Sequence, residues 1–126
     1  MSRHRDTYVD THCHLYWDSF AADLPEVLTR AREAGVTRMI IPATDFATFA
    51  QAADIADAHE DVFLAVGIHP HDAAKAPDDL AEALTALATH PRVVAIGEIG
   101  LDYYYDFSTP ARQHHVLRTQ VEVARA

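Results

Sequence analysis

Strand-like and helix-like segments alternate along this chain without a break, and that alternation restricts its fold more than any other feature. Tyr8-Val9-Asp10-Thr11-His12 is short and β-prone. Leu24 to Ala34 reads as a helix, with Asp23 placed to cap it, Pro25 suited to its first turn and Gly35 to stop it. Its apolar residues Leu24, Val27, Leu28, Ala31 and Ala34 recur at helical spacing, so one face should be buried. Val36 to Ile41 is a second strand closed by Pro42, and Thr44 is the expected cap of a helix from Asp45 to Ala58. Val62 to Ile68 is a continuous apolar run, the pattern of a strand covered on both faces. Asp78 to Ala88 follows as a third amphipathic helix, Val93-Val94-Ala95-Ile96 as a fourth buried strand, and Pro110 to Ala126 as a fourth helix.

Crossovers of this length join parallel strands, so the class is α/β. A small doubly wound sheet and the first half of a (β/α)₈ barrel both satisfy the pattern, the complete barrel needing roughly 250 residues. Strand periodicity does not separate them. No linker, charge block or low-complexity tract divides the 126 residues, and a 49% hydrophobic content is too high for a disordered chain. The chain stops where a fifth strand is expected.

Ten Lys and Arg against 19 Asp and Glu give a formal net charge of -9. Such a surface repels phosphate backbones at long range and argues against a coating or architectural role on DNA. It does not argue against an enzyme acting on nucleic acid, because bound divalent cations reverse the local sign. A single cysteine, Cys13, forms no intramolecular disulfide, which fits a cytoplasmic setting. No apolar stretch approaches the roughly 20 residues that span a bilayer, and the polar Met1 to Asp6 lacks the apolar region of a secretory signal.

Each expected strand ends in residues able to hold a metal. In Asp10-Thr11-His12-Cys13-His14, residues two apart share a strand face, so Asp10, His12 and His14 should project together while Thr11 and Cys13 face away. Cys13 is therefore left out of the ligand set, and nothing in the sequence activates it as a nucleophile. Strand three runs into Gly67-Ile68-His69-Pro70-His71, and strand four into Gly97-Glu98-Ile99-Gly100-Leu101-Asp102. A glutamate straight after four apolar strand residues must pair, neutralise or coordinate. Taken singly, these signals also suit solvated histidines or an arginine-paired glutamate. Together they place imidazole and carboxylate at the carboxyl ends of three strands, where parallel α/β folds bind ligands, and point to Zn, Mn or Mg.

At these residues the sequence resembles the TatD family of metal-dependent deoxyribonucleases, within the amidohydrolase-like TIM barrels. The resemblance is carried by Asp10-Thr11-His12-Cys13-His14-Leu15, by Val66-Gly67-Ile68-His69-Pro70-His71 and by Ala95-Ile96-Gly97-Glu98-Ile99-Gly100-Leu101-Asp102-Tyr103-Tyr104, with Gln113 and Gln120 matching two spaced glutamines of the fourth helix. It runs from about Tyr8 to the end and implies a (β/α)₈ barrel truncated to about four βα units, with residues 1–126 as its N-terminal half. It further implies two divalent ions (Mg, Mn or Zn). His12 and His14 match ligands of one ion, Glu98 a bridging ligand, and His69 a histidine lining the substrate pocket near the phosphate. The family's further metal histidines and its water-activating aspartate have no counterpart here, so the catalytic residue would lie beyond the chain end. Tyr16 stands where the family often has aspartate.

Three readings stay open. One is a deoxyribonuclease-type hydrolase cleaving phosphodiester bonds of single-stranded DNA by two metals, a 3′-to-5′ exonuclease by family analogy, with this chain inactive alone. Another is a metal-dependent hydrolase of small amides or esters. The last is a non-catalytic half-barrel that binds one metal or a partner. An open half-barrel should also self-associate through its bare edges, unless two copies close a pseudo-barrel. Tyr103 to Tyr105 is expected either to stack on an unpaired base or to pack over the barrel mouth.

Overall fold

A computed structural model describes residues 6–126; the polar segment ahead of them lies outside the described residues. Four strands form one parallel sheet in the order β1-β2-β3-β4: β1 Tyr8–Asp10, β2 Val36–Pro42, β3 Val62–Val66 and β4 Val93–Ile96. Four helices alternate with them: α1 Leu24–Glu33, α2 Phe46–Ala58, α3 Leu80–Leu87 and α4 Pro110–Arg125. Consecutive strand order leaves no point at which the direction of winding reverses. A doubly wound sheet requires such a point, and a barrel does not. The topology is therefore that of an α/β half-barrel.

The core lies between the sheet and its helices. Met39 and Ile41 of β2 and Val62, Leu64 and Val66 of β3 point into it against Leu28, Phe49, Ala52, Ala56, Leu80, Leu84 and Val116. The other face of the sheet is open. Val9, Arg38, Ile40, Phe63 and Val94 line a hollow of about 250 Å³ there, and Val9 and Val94 are each more than half exposed. The expectation that β4 is a buried strand is thus corrected, because it is an edge strand with one bare face. Arg92 lies over the Phe63 ring, 4.4 Å from its centroid.

Local chemistry accounts for most element ends and for several displaced ones. Gly35 follows α1 at φ 102, where a side chain is strained, and a Cβ there would come within 2.6 Å of the Asp6 carbonyl. Asp23 precedes α1 but makes no capping hydrogen bond; its carboxylate lies 3.8 Å from Arg30 instead. Ala34, expected on the buried face, is exposed. Asp45, not Thr44, caps α2: its carboxylate accepts from Thr48 N at 2.8 Å while Thr48 Oγ1 accepts from Asp45 N at 3.0 Å. Helix α3 starts at Leu80, two residues later than the sequence suggests, and β3 ends at Val66, two residues earlier than Ile68.

Candidate metal centre

Strand β1 stops at Asp10, so His12 and His14 lie beyond it, not on it as sequence alternation suggests. They still reach one place. The Asp10 carboxylate accepts from His12 N at 3.0 Å and bends the chain. At the next residue, Cys13 donates both its N–H (3.2 Å) and its Sγ–H (3.4 Å) to the Ile40 carbonyl. That pins the Cys13 side chain toward the core and sends its two neighbours the other way. Burial pushes the Cys13 thiol up to about 12, with Asp10 adding to the effect, so the sulfur is a poor nucleophile.

His12 Nε2 and His14 Nε2 are 3.1 Å apart, and each is 3.5 Å from Glu98 Oε2. Glu98 arrives from β4. Gly97 N donates to Val66 O at 3.0 Å, and Glu98 N donates to Ala43 O at 2.8 Å, so the carboxylate is carried on sheet-anchored backbone. Three donors of a tetrahedral ion at about 2.0–2.1 Å would stand about 3.3 Å from one another. The observed separations of 3.1, 3.5 and 3.5 Å fit a divalent cation, as does the mixed imidazole and carboxylate chemistry. Among the described residues, this is the group of three that could hold an ion.

The imidazoles are held in a usable form. Burial lowers the His14 pKa below 6.5, against the pull of the Glu98 charge, leaving a neutral ring with a lone pair to give. Its Nδ1 lies 2.9 Å from Tyr16 Oη, and that hydroxyl donates onward to Pro42 O at 3.4 Å. With Tyr16 donating to Pro42, His14 Nδ1 carries the proton and Nε2 is free. Trp17 stacks flat on the other side of His14, with centroids 4.9 Å apart and planes 2° from parallel.

Glu98 has a second neighbour. Its Oε1 is 3.5 Å from His69 Nε2. His69 N donates to Thr44 O at 2.8 Å, and His69 Nδ1 accepts from His71 N at 3.0 Å. The accepting Nδ1 places the proton of the neutral ring on Nε2, and burial lowers this pKa too. Gln120, buried in α4, fixes the preceding residue from both sides: its Oε1 accepts from Ile68 N at 2.7 Å, and its Nε2 donates to Ile68 O at 3.1 Å.

The structure thus brings His12, His14, Glu98 and His69 together. It adds residues that sequence reasoning did not assign: Tyr16 and Trp17 around His14, and a His71–Asp102 pair whose Nε2 and Oδ2 are 2.6 Å apart. The His71 hydrogen bond holds the Asp102 carboxyl below its ordinary value. Asp102 and His71 both sit inside the quoted motifs, but a contact between residues 31 positions apart leaves no local trace.

Residues 9–126 match a family model described as TatD related DNase. The 3'-5' ssDNA/RNA exonuclease TatD of Edwardsiella piscicida is 41% identical over 117 residues, 92% of this chain and 45% of that protein. An uncharacterized metal-dependent hydrolase, YabD of Bacillus subtilis, is 35% identical over 116 residues, 92% of this chain and 46% of its own length. Among solved structures, the TatD homolog YjjV of Escherichia coli superposes with a TM-score of 0.83 at 36% identity, over 93% of this chain and 46% of that one. The chain spans about half the length of the relatives it matches.

Proposed function

This chain belongs to the TatD related DNase family, and from that premise we propose that it is the N-terminal half of a cytoplasmic metal-dependent hydrolase that cleaves phosphodiester bonds in single-stranded DNA. The observation that carries the proposal is the meeting of His12 Nε2 and His14 Nε2 at one oxygen of Glu98, in a chain whose named relatives include 3'-5' ssDNA/RNA exonucleases.

His12 and His14 would hold one divalent ion through Nε2. Glu98 offers Oε2 to that pair and has Oε1 on its far side, which suits a carboxylate shared between two ions. Bound there, such ions would lower the pKa of the attacking water and offset charge developing on the phosphate oxygens. Mg, Mn and Zn all suit these donors. The chain's own residues do the rest. Tyr16 keeps the His14 proton on Nδ1, and Gln120 holds the backbone that presents His69. His69, with its proton on Nε2, can donate to a phosphate oxygen in the space it shares with Glu98. Neutral imidazoles beside cations also let a chain of net charge -9 accept an anionic substrate.

We assign the water-activating aspartate to the family's other half, so this chain alone should bind metal and turn over poorly. Digestion of single-stranded DNA by the full-length gene product with Mn²⁺ or Mg²⁺, and its loss with chelator, tests the proposal. Glu98→Gln should lose at least about a hundredfold of that activity. Hydrolysis of a small ester or amide without any DNA cleavage would instead favour the amide and ester reading. One observation favours a further role for the isolated chain: the bare sheet face around Val9 and Val94, next to two edges that are unpaired among the described residues. A self-associated, metal-binding half-barrel would cover it. Size-exclusion chromatography giving a stable monomer would contradict that second reading.

A further inference from the structure

Between β4 and α4 the chain exposes Tyr103, Tyr104, Tyr105 and Phe107 at 57%, 87%, 58% and 62% of their area. Among the described residues, no other element covers these side chains. So much aromatic surface in five residues is a patch of the kind that marks a binding site.

The patch is exposed yet firmly built. The Asp102 carboxylate accepts from Tyr104 N at 2.9 Å and Tyr105 N at 3.2 Å, and its other oxygen holds His71. Asp102 is itself gripped by Gln113, buried in α4, whose Oε1 accepts from Asp102 N at 2.7 Å and whose Nε2 donates to Asp102 O and Ser108 O. Asp106 turns the chain at φ 54, a conformation that aspartate tolerates better than most residues. The turn folds Phe107 back until its ring lies 2° from parallel with Tyr105, 5.6 Å between centroids. Tyr104 stands upright against Tyr105, 4.8 Å away at 88°. A parallel pair with one upright wall is a shelf that accepts a flat ring.

The shelf is continuous with the metal centre. His71 packs against Tyr105 (5.4 Å) and Phe107 (5.0 Å) on one side and against His69 (4.3 Å) on the other, and His69 faces Glu98. From Ile99 to Thr109 the chain carries two aspartates and no Lys or Arg, so nothing in this loop attracts a phosphate backbone. Aromatic faces without cations select for bases and not for phosphates.

We propose that Tyr104, Tyr105 and Phe107 form a stacking platform for an unpaired nucleobase of the strand whose phosphate enters the metal centre. This deepens the nuclease reading and rests on it for the identity of the ligand. Because the platform reads base faces and not charge, binding through it should survive chelation of metal and vary little with salt.

The test compares a fluorescein-labelled oligothymidylate with an abasic oligonucleotide of equal length, titrated by anisotropy in chelator at two salt concentrations. The unmodified chain should bind oligothymidylate on the order of tenfold more tightly. Tyr104→Ala/Tyr105→Ala/Phe107→Ala should abolish the preference, and Tyr105→Trp should keep it. Equal binding of the two oligonucleotides, binding of neither, or a preference that survives the triple substitution would overturn the platform. Metal-dependent cleavage by the full-length gene product is read alongside. Cleavage with no base preference defeats the platform alone, whereas base preference with no cleavage defeats the nuclease reading and leaves the platform standing.

Discussion

Trp17 lies parallel to His14, 4.9 Å from it, and is the only tryptophan in the sequence. The chain therefore carries its own reporter on one proposed metal ligand. A paramagnetic ion such as Co²⁺ on His14 Nε2 should quench Trp17 emission saturably, with recovery on adding chelator. His12→Ala or Glu98→Gln should weaken the quenching by on the order of tenfold or more. Quenching of equal strength in both variants would show that the ion binds elsewhere.

Tyr16 bears on the same ligand from the other nitrogen. Tyr16→Phe removes the hydroxyl that accepts from His14 Nδ1 and donates to Pro42 O. Zn²⁺ affinity, measured against a competing chelator dye, should fall on the order of tenfold while thermal unfolding without metal changes little. Unchanged affinity would mean that Tyr16 does not orient His14. Tyr16→Asp, which restores an acceptor, should recover part of the loss.

The acid response follows from two half-buried imidazoles. His14 and His69 titrate below 6.5 in the folded chain, chiefly because of burial. The unfolded chain thus binds more protons between those lowered values and about 6.5. Stability of the metal-free chain should be fully present above about pH 6.5 and decline as pH falls through that window. Asp61, paired with Arg32, and Asp102, bonded to His71, are lowered from 3.8, so their contributions are lost only at more acid pH. Urea unfolding in chelator at about pH 5 and about pH 7.5 checks the sign. Greater stability at the lower pH would contradict it.

Gln120 ties α4 to the backbone ahead of His69. Replacing it with leucine leaves Ile68 N and O buried without partners, at a cost of about 2–4 kcal/mol in urea unfolding. The neighbouring Gly67 is equally constrained: an added Cβ would stand 2.8 Å from Gly97 C and 3.0 Å from Gln120 Oε1. Gly67→Ala should therefore also destabilise the chain, as two backbones cannot both give way. A cost below about 0.5 kcal/mol for both substitutions would contradict the close approach seen there.

The thiol of Cys13 offers a simple check on the β1 end. With its pKa raised to about 12 and its Sγ donating to Ile40 O, it should resist a thiol reagent at mildly alkaline pH and react fully in urea. Rapid labelling of the folded chain would place the sulfur, and with it the flanking histidines, elsewhere.

Much of this architecture is readable from residues alone. The apolar run at Val62 and the helical periodicity from Asp45 and from Pro110 give β3, α2 and α4 to within one or two residues, because burial acts locally, although the α2 cap is Asp45 and not the expected Thr44. Local signals also mislead where burial depends on distant neighbours. Val93 to Ile96 is as apolar as a covered strand, yet nothing among the described residues packs over its second face. The HxH at His12 and His14 is legible as a ligand pair, although the geometry comes from Cys13 gripping β2 and not from strand alternation. The contacts of Asp102 and Tyr16 were not legible, since each depends on a partner 26 to 31 positions away.

The proposed metal centre requires His12, His14 and Glu98 to converge on a shared cation. Anomalous diffraction from crystals of the chain soaked in Zn²⁺ or Mn²⁺ tests it most directly. A peak is expected about 2.0–2.3 Å from His12 Nε2, His14 Nε2 and a Glu98 oxygen. An empty position between those three side chains in crystals that bind the ion elsewhere would contradict it.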